Sequence, residues 1–254
     1  MTTIAVFNQK GGVGKTTVTA NLAAALARHG AAPLVIDLDP QAHLTAMWRV
    51  NARPAETILR FYQGTAGIAD LVQHTRHGID FIPSHLELSK VDTQVVRHRD
   101  HVWRLKLGLT AEMLADTDVP ILIDCSPMLG PLAFSALFAA DFVLVPVAAD
   151  FLALNGAVLL DRTLSGLAKF QPRIPRRYLL NRYVPGQVTS EKVLGQLSQR
   201  WGHELMRTRI REQEVLGAAA GTGEDIFAFA PESAAAHDFS FLLDELVENE
   251  LLRL

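Results

Sequence analysis

Residues 9–17 read Gln-Lys-Gly-Gly-Val-Gly-Lys-Thr-Thr, directly behind a short apolar run from Thr2 to Phe7. The run favours β structure and suits a buried first strand. Gly11, Gly12 and Gly14 then give a backbone that can bend tightly round phosphate oxygens. From Thr16 the pattern turns helical, with Val18, Leu22, Ala25 and Leu26 on one face and an end near His29-Gly30. Strand, loop and helix together deliver an anion to a helix N-terminus, where free N–H groups and the helix dipole favour it. Lys15-Thr16 is the usual ending of such a loop: the ammonium reaches β- and γ-phosphates and the hydroxyl holds Mg²⁺. Two details stand apart. Gln9 occupies the position where the common pattern begins with glycine, and Lys10 is a second lysine five residues before the first.

Two acidic signals accompany the loop. Leu34 to Leu38 is an apolar run that leads into Asp37-Leu38-Asp39-Pro40-Gln41, and Ile121 to Ile123 is another that ends in Asp124. In a parallel sheet, carboxylates at the C-terminal ends of neighbouring strands converge on the ligand crevice. A phosphate loop with a Mg²⁺-accepting aspartate and a further aspartate near the γ-phosphate forms a phosphoryl-transfer site.

The remaining pattern alternates. Strands are expected near 3–8, 33–38, 79–83, 119–124, 141–146 and 176–181, and helices near 15–29, 43–48, 54–62, 86–115, 130–139, 152–169, 189–200 and 233–250. Such alternation predicts an α/β fold, a mostly parallel twisted sheet with helices on both faces and right-handed crossovers. A length of 254 residues with 49% hydrophobic side chains is compatible with one domain spanning 1–254. Cys125 is the only cysteine, which excludes an internal disulfide and suits a reducing, cytoplasmic compartment.

The string from Lys10 to Thr17, the Asp37–Gln41 segment, the aspartate closing Ile121–Asp124 and the run from Ala140 to Val147 together resemble the ParA/MinD family of deviant Walker-A P-loop ATPases. Phe81-Ile82-Pro83-Ser84, Ala153-Leu154-Asn155-Gly156 and Asn181-Arg182-Tyr183 extend the resemblance over most of the chain. Asn8-Gln9 and Pro40-Gln41 bring it nearest to the ParA branch. The resemblance implies ATP and Mg²⁺ as cofactors. It gives Lys10 a place across a dimer interface, on the partner's phosphates. Gly11, Gly12, Val13, Gly14, Lys15 and Thr16 would cradle phosphate, and Thr17 would support its α side. Asp39 would position the attacking water, so that Lys10, Lys15 and Asp39 form the catalytic set. Thr16, Asp37, Asp39 and Asp124 would form the metal neighbourhood, and Asn181 and Arg211 would lie against adenine. This sequence departs from the family pattern at Cys125-Ser126-Pro127, at Asn155 and at Ile210-Arg211-Glu212.

Charge is spread unevenly. Residues 172–211 hold nine lysines and arginines against two acidic residues, whereas residues 212–254 hold ten acidic residues against Arg253. A basic stripe on a near-neutral chain is either a nucleic-acid footprint or a solvated face paired with its own carboxylates. The resemblance favours nonspecific double-stranded DNA, with Arg173, Arg176, Arg177, Arg207 and Arg209 as contacts. The last predicted helix sets Phe239, Phe241, Leu242, Leu243, Leu246 and Val247 against Asp244, Glu245, Glu248 and Glu250. Anionic lipid would repel that polar face, so no membrane partner is expected.

The expected function is an ATP-dependent homodimeric switch, nucleoid-associated in a bacterial cytoplasm. Its slow hydrolysis would be stimulated by a cargo-bound partner protein. The cargo is a plasmid or chromosome partition complex, or a protein assembly such as a carboxysome or chemoreceptor cluster. The alternatives are a MinD-like membrane-surface ATPase and an ATP-dependent ligase of the same superfamily.

Overall fold

A computed structural model describes residues 2–75, 78–94, 101–112, 119–166 and 174–253. The chain runs β1 (Thr3–Val6), α1 (Lys15–Arg28), β2 (Leu34–Leu38), α2 (His43–Met47), α3 (Ile58–Gln63), β3 (Gln73–His74), β4 (Asp80–Ile82), α4 (Ser89–Gln94), α5 (His101–Glu112) and β5 (Ile121–Cys125). It continues with α6 (Pro131–Ala139), β6 (Phe142–Ala148), α7 (Phe151–Gly166), β7 (Arg176–Tyr183), α8 (Val188–Trp201), β8 (Leu205–Arg211), α9 (Glu214–Thr222), α10 (Ile226–Phe229) and α11 (Ala234–Glu248).

The strands form one eight-stranded sheet in the order β3-β4-β2-β5-β1-β6-β7-β8. Every pairing is parallel except β3 with β4. The mostly parallel α/β architecture expected from the alternating pattern is therefore the one observed. Side-chain alternation divides the core into two layers. Ala5 and Phe7 face the α3, α5, α6, α7 and α8 side, together with Ile36, Ile123, Val145 and Tyr178. Ile4 and Val6 face α1, α10 and α11, together with Leu122, Leu144 and Met206. Strands covered on both faces carry near-continuous apolar runs, which is why β1, β5 and β6 are legible in sequence.

Several boundaries differ from expectation, each for a local reason. The helix expected over 54–62 is broken at Thr57, whose hydroxyl caps α3 by accepting from the Leu59 N–H. The helix expected over 86–115 is, in its described part, a 3₁₀ turn at Leu86–Leu88 followed by α4 and by α5. β8 was not anticipated, because Arg207, Arg209 and Arg211 alternate with Met206, Thr208 and Ile210 and make the strand read as a basic stripe. β3, α9 and α10 are short or alanine- and glycine-rich and gave no periodic signal. On α11, Glu245 was expected on the solvent face and is buried, whereas Phe241 was expected on the apolar face and is exposed.

Phe239 of α11 is fully buried in the layer that contains Leu22 and Leu26 of α1. Phe239→Ala is expected to lower unfolding free energy by about 3–5 kcal/mol, seen as a lower urea midpoint at unchanged slope.

Candidate functional site

β1 lies between β5 and β6, so the loop that leaves its C-terminal end has buried backbone on both sides. Asn8 braces that loop. Its Nδ2 donates to the Pro146 carbonyl at 2.8 Å, and its Oδ1 accepts the Lys10 N–H at 3.0 Å. Gly14 is left-handed, with φ at 91°, and caps α1. The backbone there favours glycine, and a Cβ would also displace the Asn181 amide. The loop thus reaches the N-terminus of α1, a 14-residue helix whose first amides face any bound anion.

The sequence-predicted residues converge here. Lys15 is 7% exposed and its Nζ donates to the Lys10 carbonyl at 3.3 Å. The Thr16 hydroxyl donates to Asp124 Oδ2 at 2.8 Å. Asp37 and Asp124 stand opposite each other in register on β2 and β5. Asp39 lies two residues beyond Asp37, buried, with its Oδ1 accepting the Gln41 N–H at 2.9 Å. Asp37 is held more firmly. Its Oδ2 accepts from both the Thr45 N–H, at 3.0 Å, and the Thr45 hydroxyl, at 2.7 Å, and its Oδ1 accepts from the Asp39 N–H, at 3.1 Å.

The electrostatics follow from burial. Desolvation, opposed by the Thr45 and Asp39 hydrogen bonds, pushes the Asp37 carboxyl up to about 7. Desolvation and the neighbouring Asp37 charge push Asp124 well above the usual carboxylate range. Burial draws the Lys15 ammonium downward, while Asp124 and Asp39 pull the other way. A hydroxyl and two carboxylates make an all-oxygen donor set of the kind that Mg²⁺ takes. Two carboxylates held this close without a cation repel each other, and that is an affinity for a small dication. The residues present therefore fit Mg²⁺, with Thr16 and Asp124 as the nearest donors.

Other expected contacts separate. Asn181 donates from Nδ2 to the Val13 carbonyl at 2.7 Å, which makes it a second brace of the loop. Arg211, expected against adenine, is held within its own subunit. Its guanidinium is engaged by Asp238, with Nη2 to Oδ1 at 2.6 Å, and by the Ala234 carbonyl. Thr17 sits on the first turn of α1, where its carbonyl accepts from Asn21. Lys10 points away from the loop that Lys15 fills, and its Nζ is 2.7 Å from Asp150 Oδ1.

The basic stripe is only partly a surface. Arg173 lies outside the described residues. Arg176 is 2% exposed and paired with Asp161 at 2.7 Å, so the expectation of a DNA contact fails for it. A guanidinium at the buried start of a strand needs a carboxylate, and α7 supplies one. Arg177 is half-buried and donates to the Arg176 carbonyl. Arg209 is exposed and lies over the Tyr183 ring. Arg207 is exposed too, but shared between Glu245 and Glu248. Sequence reasoning missed Asn8 as a brace, Thr45 as the partner of Asp37 and Asp150 as the partner of Lys10. A polar residue just past a strand end was the only signal for Asn8 and Asp150, and Thr45, inside α2, gave none. Among the described residues no helix is long and apolar enough to cross a membrane.

Comparison with known proteins covers nearly the whole chain. A family model described as an AAA domain matches residues 1–174. The chromosome partitioning protein ParA of Caulobacter vibrioides is 30% identical over 251 residues, covering 97% of this chain and 94% of its own. The chromosome-partitioning ATPase Soj of Thermus thermophilus is 33% identical over 247 residues, covering 96% of this chain and 94% of its own. Among solved structures, cobyrinic acid a,c-diamide synthase from Mycobacterium smegmatis, with a bound ATP analogue and magnesium, superposes with a TM-score of 0.82. It is 26% identical and covers 98% of this chain and 95% of its own.

With the site empty, the folded state keeps the Asp37 proton up to about pH 7, whereas an unfolded aspartate releases it near its ordinary 3.8. Folding takes up a proton between those values, so this contribution to stability is full below the lower one and is lost as pH rises through the upper. Urea unfolding is expected to show wild-type stability falling from about pH 4 to about pH 7 and levelling off above that. Asp37→Asn should flatten that fall, whatever its absolute stability. Equal slopes would mean that Asp37 is ionised in the empty protein.

Proposed function

The chain belongs to the ParA/MinD family of P-loop ATPases, and we propose that it works as an ATP-dependent dimerising switch that binds nonspecific DNA and positions or partitions a cargo. It is an ATPase and takes ATP with Mg²⁺.

The observation that carries the reading is the divergence of the two loop lysines. One lysine suffices for the phosphates of its own subunit. Lys15 is buried in its own loop, in the field of Asp124, and is suited to that role. Lys10 is turned outward beside the first turn of α7, so a phosphate supplied by a second subunit is its natural target. Exposed apolar side chains open the helix that Lys10 meets, with Phe151 59% and Leu152 70% exposed. Apolar surface of this kind beside a charged group supports coverage by a second copy. The relatives named for chromosome partitioning support the cargo reading. DNA contact is assigned to Arg209, with Arg177 and Arg207 as further contacts, and nucleoid association follows from that contact.

In this reading the glycine-rich loop and the α1 N-terminus bind the phosphates and Lys15 holds the γ-phosphate. Thr16, Asp37 and Asp124 hold Mg²⁺, which when bound neutralises charge on the phosphate oxygens. Asp39 orients water for the attack. Hydrolysis then removes the group that Lys10 of the other subunit holds, and the pair separates.

The likeness to a diamide synthase favours one second reading, an ATP-dependent amide-forming ligase. ATP turnover that depends on an added carboxylic acid and an amine donor would establish it.

Lys15→Ala is expected to abolish nucleotide binding. Asp39→Ala should retain ATP binding, lose turnover and accumulate the dimer in sedimentation velocity. An Asp39 variant with normal turnover would remove water positioning from that residue.

Binding to double-stranded DNA is expected with ATP and not with ADP, and to weaken steeply with salt. Arg209→Ala should weaken it about equally for all sequences and lower the salt slope by roughly 1 per subunit. Equal DNA affinity in every nucleotide state would sink the switch.

A further inference from the structure

Asp150 is the residue that Lys10 meets in the isolated subunit, and it carries two loads on one atom. It follows β6 and precedes α7, and its Oδ1 accepts the Ala153 N–H at 2.8 Å, which caps that helix. The same Oδ1 accepts Lys10 Nζ at 2.7 Å. The lysine stem runs along the first turns of α7, where a Cβ on Gly156 would stand 3.6 Å from Lys10 Cβ. Burial pushes the Asp150 pKa up, but the Lys10 ammonium and the helix amides outweigh it and hold the carboxyl below its usual range.

The position is electrostatically odd. The N-terminus of a helix is its positive end and repels a cation. Lys10 therefore stays beside α7 only because the Asp150 carboxylate stands between its ammonium and the helix dipole. At the other end of the loop, the Lys10 carbonyl accepts Lys15 Nζ at 3.3 Å. The residue that holds the subunit's own phosphates in the proposed mechanism thus touches the backbone of the residue that would leave.

We propose that Asp150 is a positioning residue that parks Lys10 in the nucleotide-free subunit, so that breaking the Lys10–Asp150 pair is a step that dimerisation must complete. The inference rests on the reading of Lys10 as the lysine that serves the second subunit. The pair is half-exposed, with side chains 29% and 47% accessible, so it is a weak latch that a polyphosphate can displace. Exposed pairs of this type shift an equilibrium by about 2–5-fold. Two subunits each release one lysine, so the dimerisation constant carries about the square of that, roughly 4–25-fold.

Asp150→Asn keeps an oxygen for the Ala153 N–H and removes the charge. Sedimentation equilibrium of the full chain with Mg²⁺ and a non-hydrolysable ATP analogue is expected to show it dimerising about 4–25-fold more tightly than wild type. Analogue affinity measured on the dilute monomer should stay unchanged. Unchanged or weaker dimerisation overturns the latch.

A second readout does not depend on dimers. Acylation of Lys10 by an amine-reactive ester, followed by mass spectrometry of the nucleotide-free chain, should be faster in Asp150→Asn. It should return toward the wild-type rate in Asp150→Glu, which restores the charge. Equal labelling in all three chains overturns the parking, whatever the oligomeric state. Faster labelling with no dimer in any chain keeps the parking and overturns the two-subunit reading on which the gate depends.

Discussion

Asp37 and Asp124 face each other across adjacent strands, both fully buried, at the point where the loop from β1 meets α1. Neighbouring strands lie about 4.8 Å apart, so two ionised carboxylates at this register repel strongly in a medium of low dielectric. The surrounding polar contacts answer that repulsion. Thr45 gives Asp37 two hydrogen bonds, Thr16 gives Asp124 one, and Lys15 brings its charge near. These partners satisfy the carboxylates without neutralising both. In the proposed mechanism a dication beside Asp124, with the phosphates it accompanies, would relieve the remainder. Loop conformation, Thr16 orientation and metal binding are therefore one electrostatic event, and the sheet register sets its geometry.

The charge asymmetry of the sequence has a different meaning in three dimensions from the one it has along the chain. The basic stretch and the acidic stretch do not form two faces; they meet along a seam where α11 packs on β8. Glu245 accepts the Arg207 and Thr208 N–H groups at 2.6 and 2.8 Å, and Asp238 accepts the Arg211 N–H at 2.9 Å. β8 is the last strand of the sheet, so these carboxylates occupy backbone donors that an edge strand would otherwise offer to another chain. The same carboxylates then take the guanidinium groups of Arg207 and Arg211. Burying Glu245 is tolerable because it collects three nitrogen donors from β8. In the proposed DNA contact, phosphates would have to compete for Arg207 with the residue's own helix, whereas Arg209, over the Tyr183 ring, is outside that seam.

The fold and the phosphate loop were legible because both rest on patterns local in sequence. Apolar runs mark the buried strands, and glycine spacing with Lys15-Thr16 marks the anion site. Asp37 and Asp124 were legible as strand-end carboxylates, and the register confirms that they meet. What escaped was contact between distant residues. Arg176 and Asp161 are both polar in sequence, and nothing local says that a strand start will be sealed by a helix. The bracing of the loop by Asn181 escaped because its bond to Val13 spans 168 positions. β8 escaped because its alternation sets long arginines against apolar residues, and an arginine's aliphatic stem hides the periodicity that a scale reads as polar.

The two loop lysines show how burial alone assigns different work to one side-chain type. Lys15 lies inside the site, where leaving its carbonyl and the nearby carboxylates would strand a charge away from water. Such a group is suited to hold a ligand's phosphate and not to travel. Lys10 lies at the rim, where solvent screens its one carboxylate and where exchange of that partner for another anion costs little. It is suited to change partners. A loop that carries both can fix a nucleotide tightly while keeping its response to a neighbour shallow and reversible. Asp150 would set the depth of that response through the one atom that accepts Lys10 and caps the helix on which Lys10 rests. A tight internal site joined to a loose external contact through one short loop is what a switch driven by a single bound nucleotide requires.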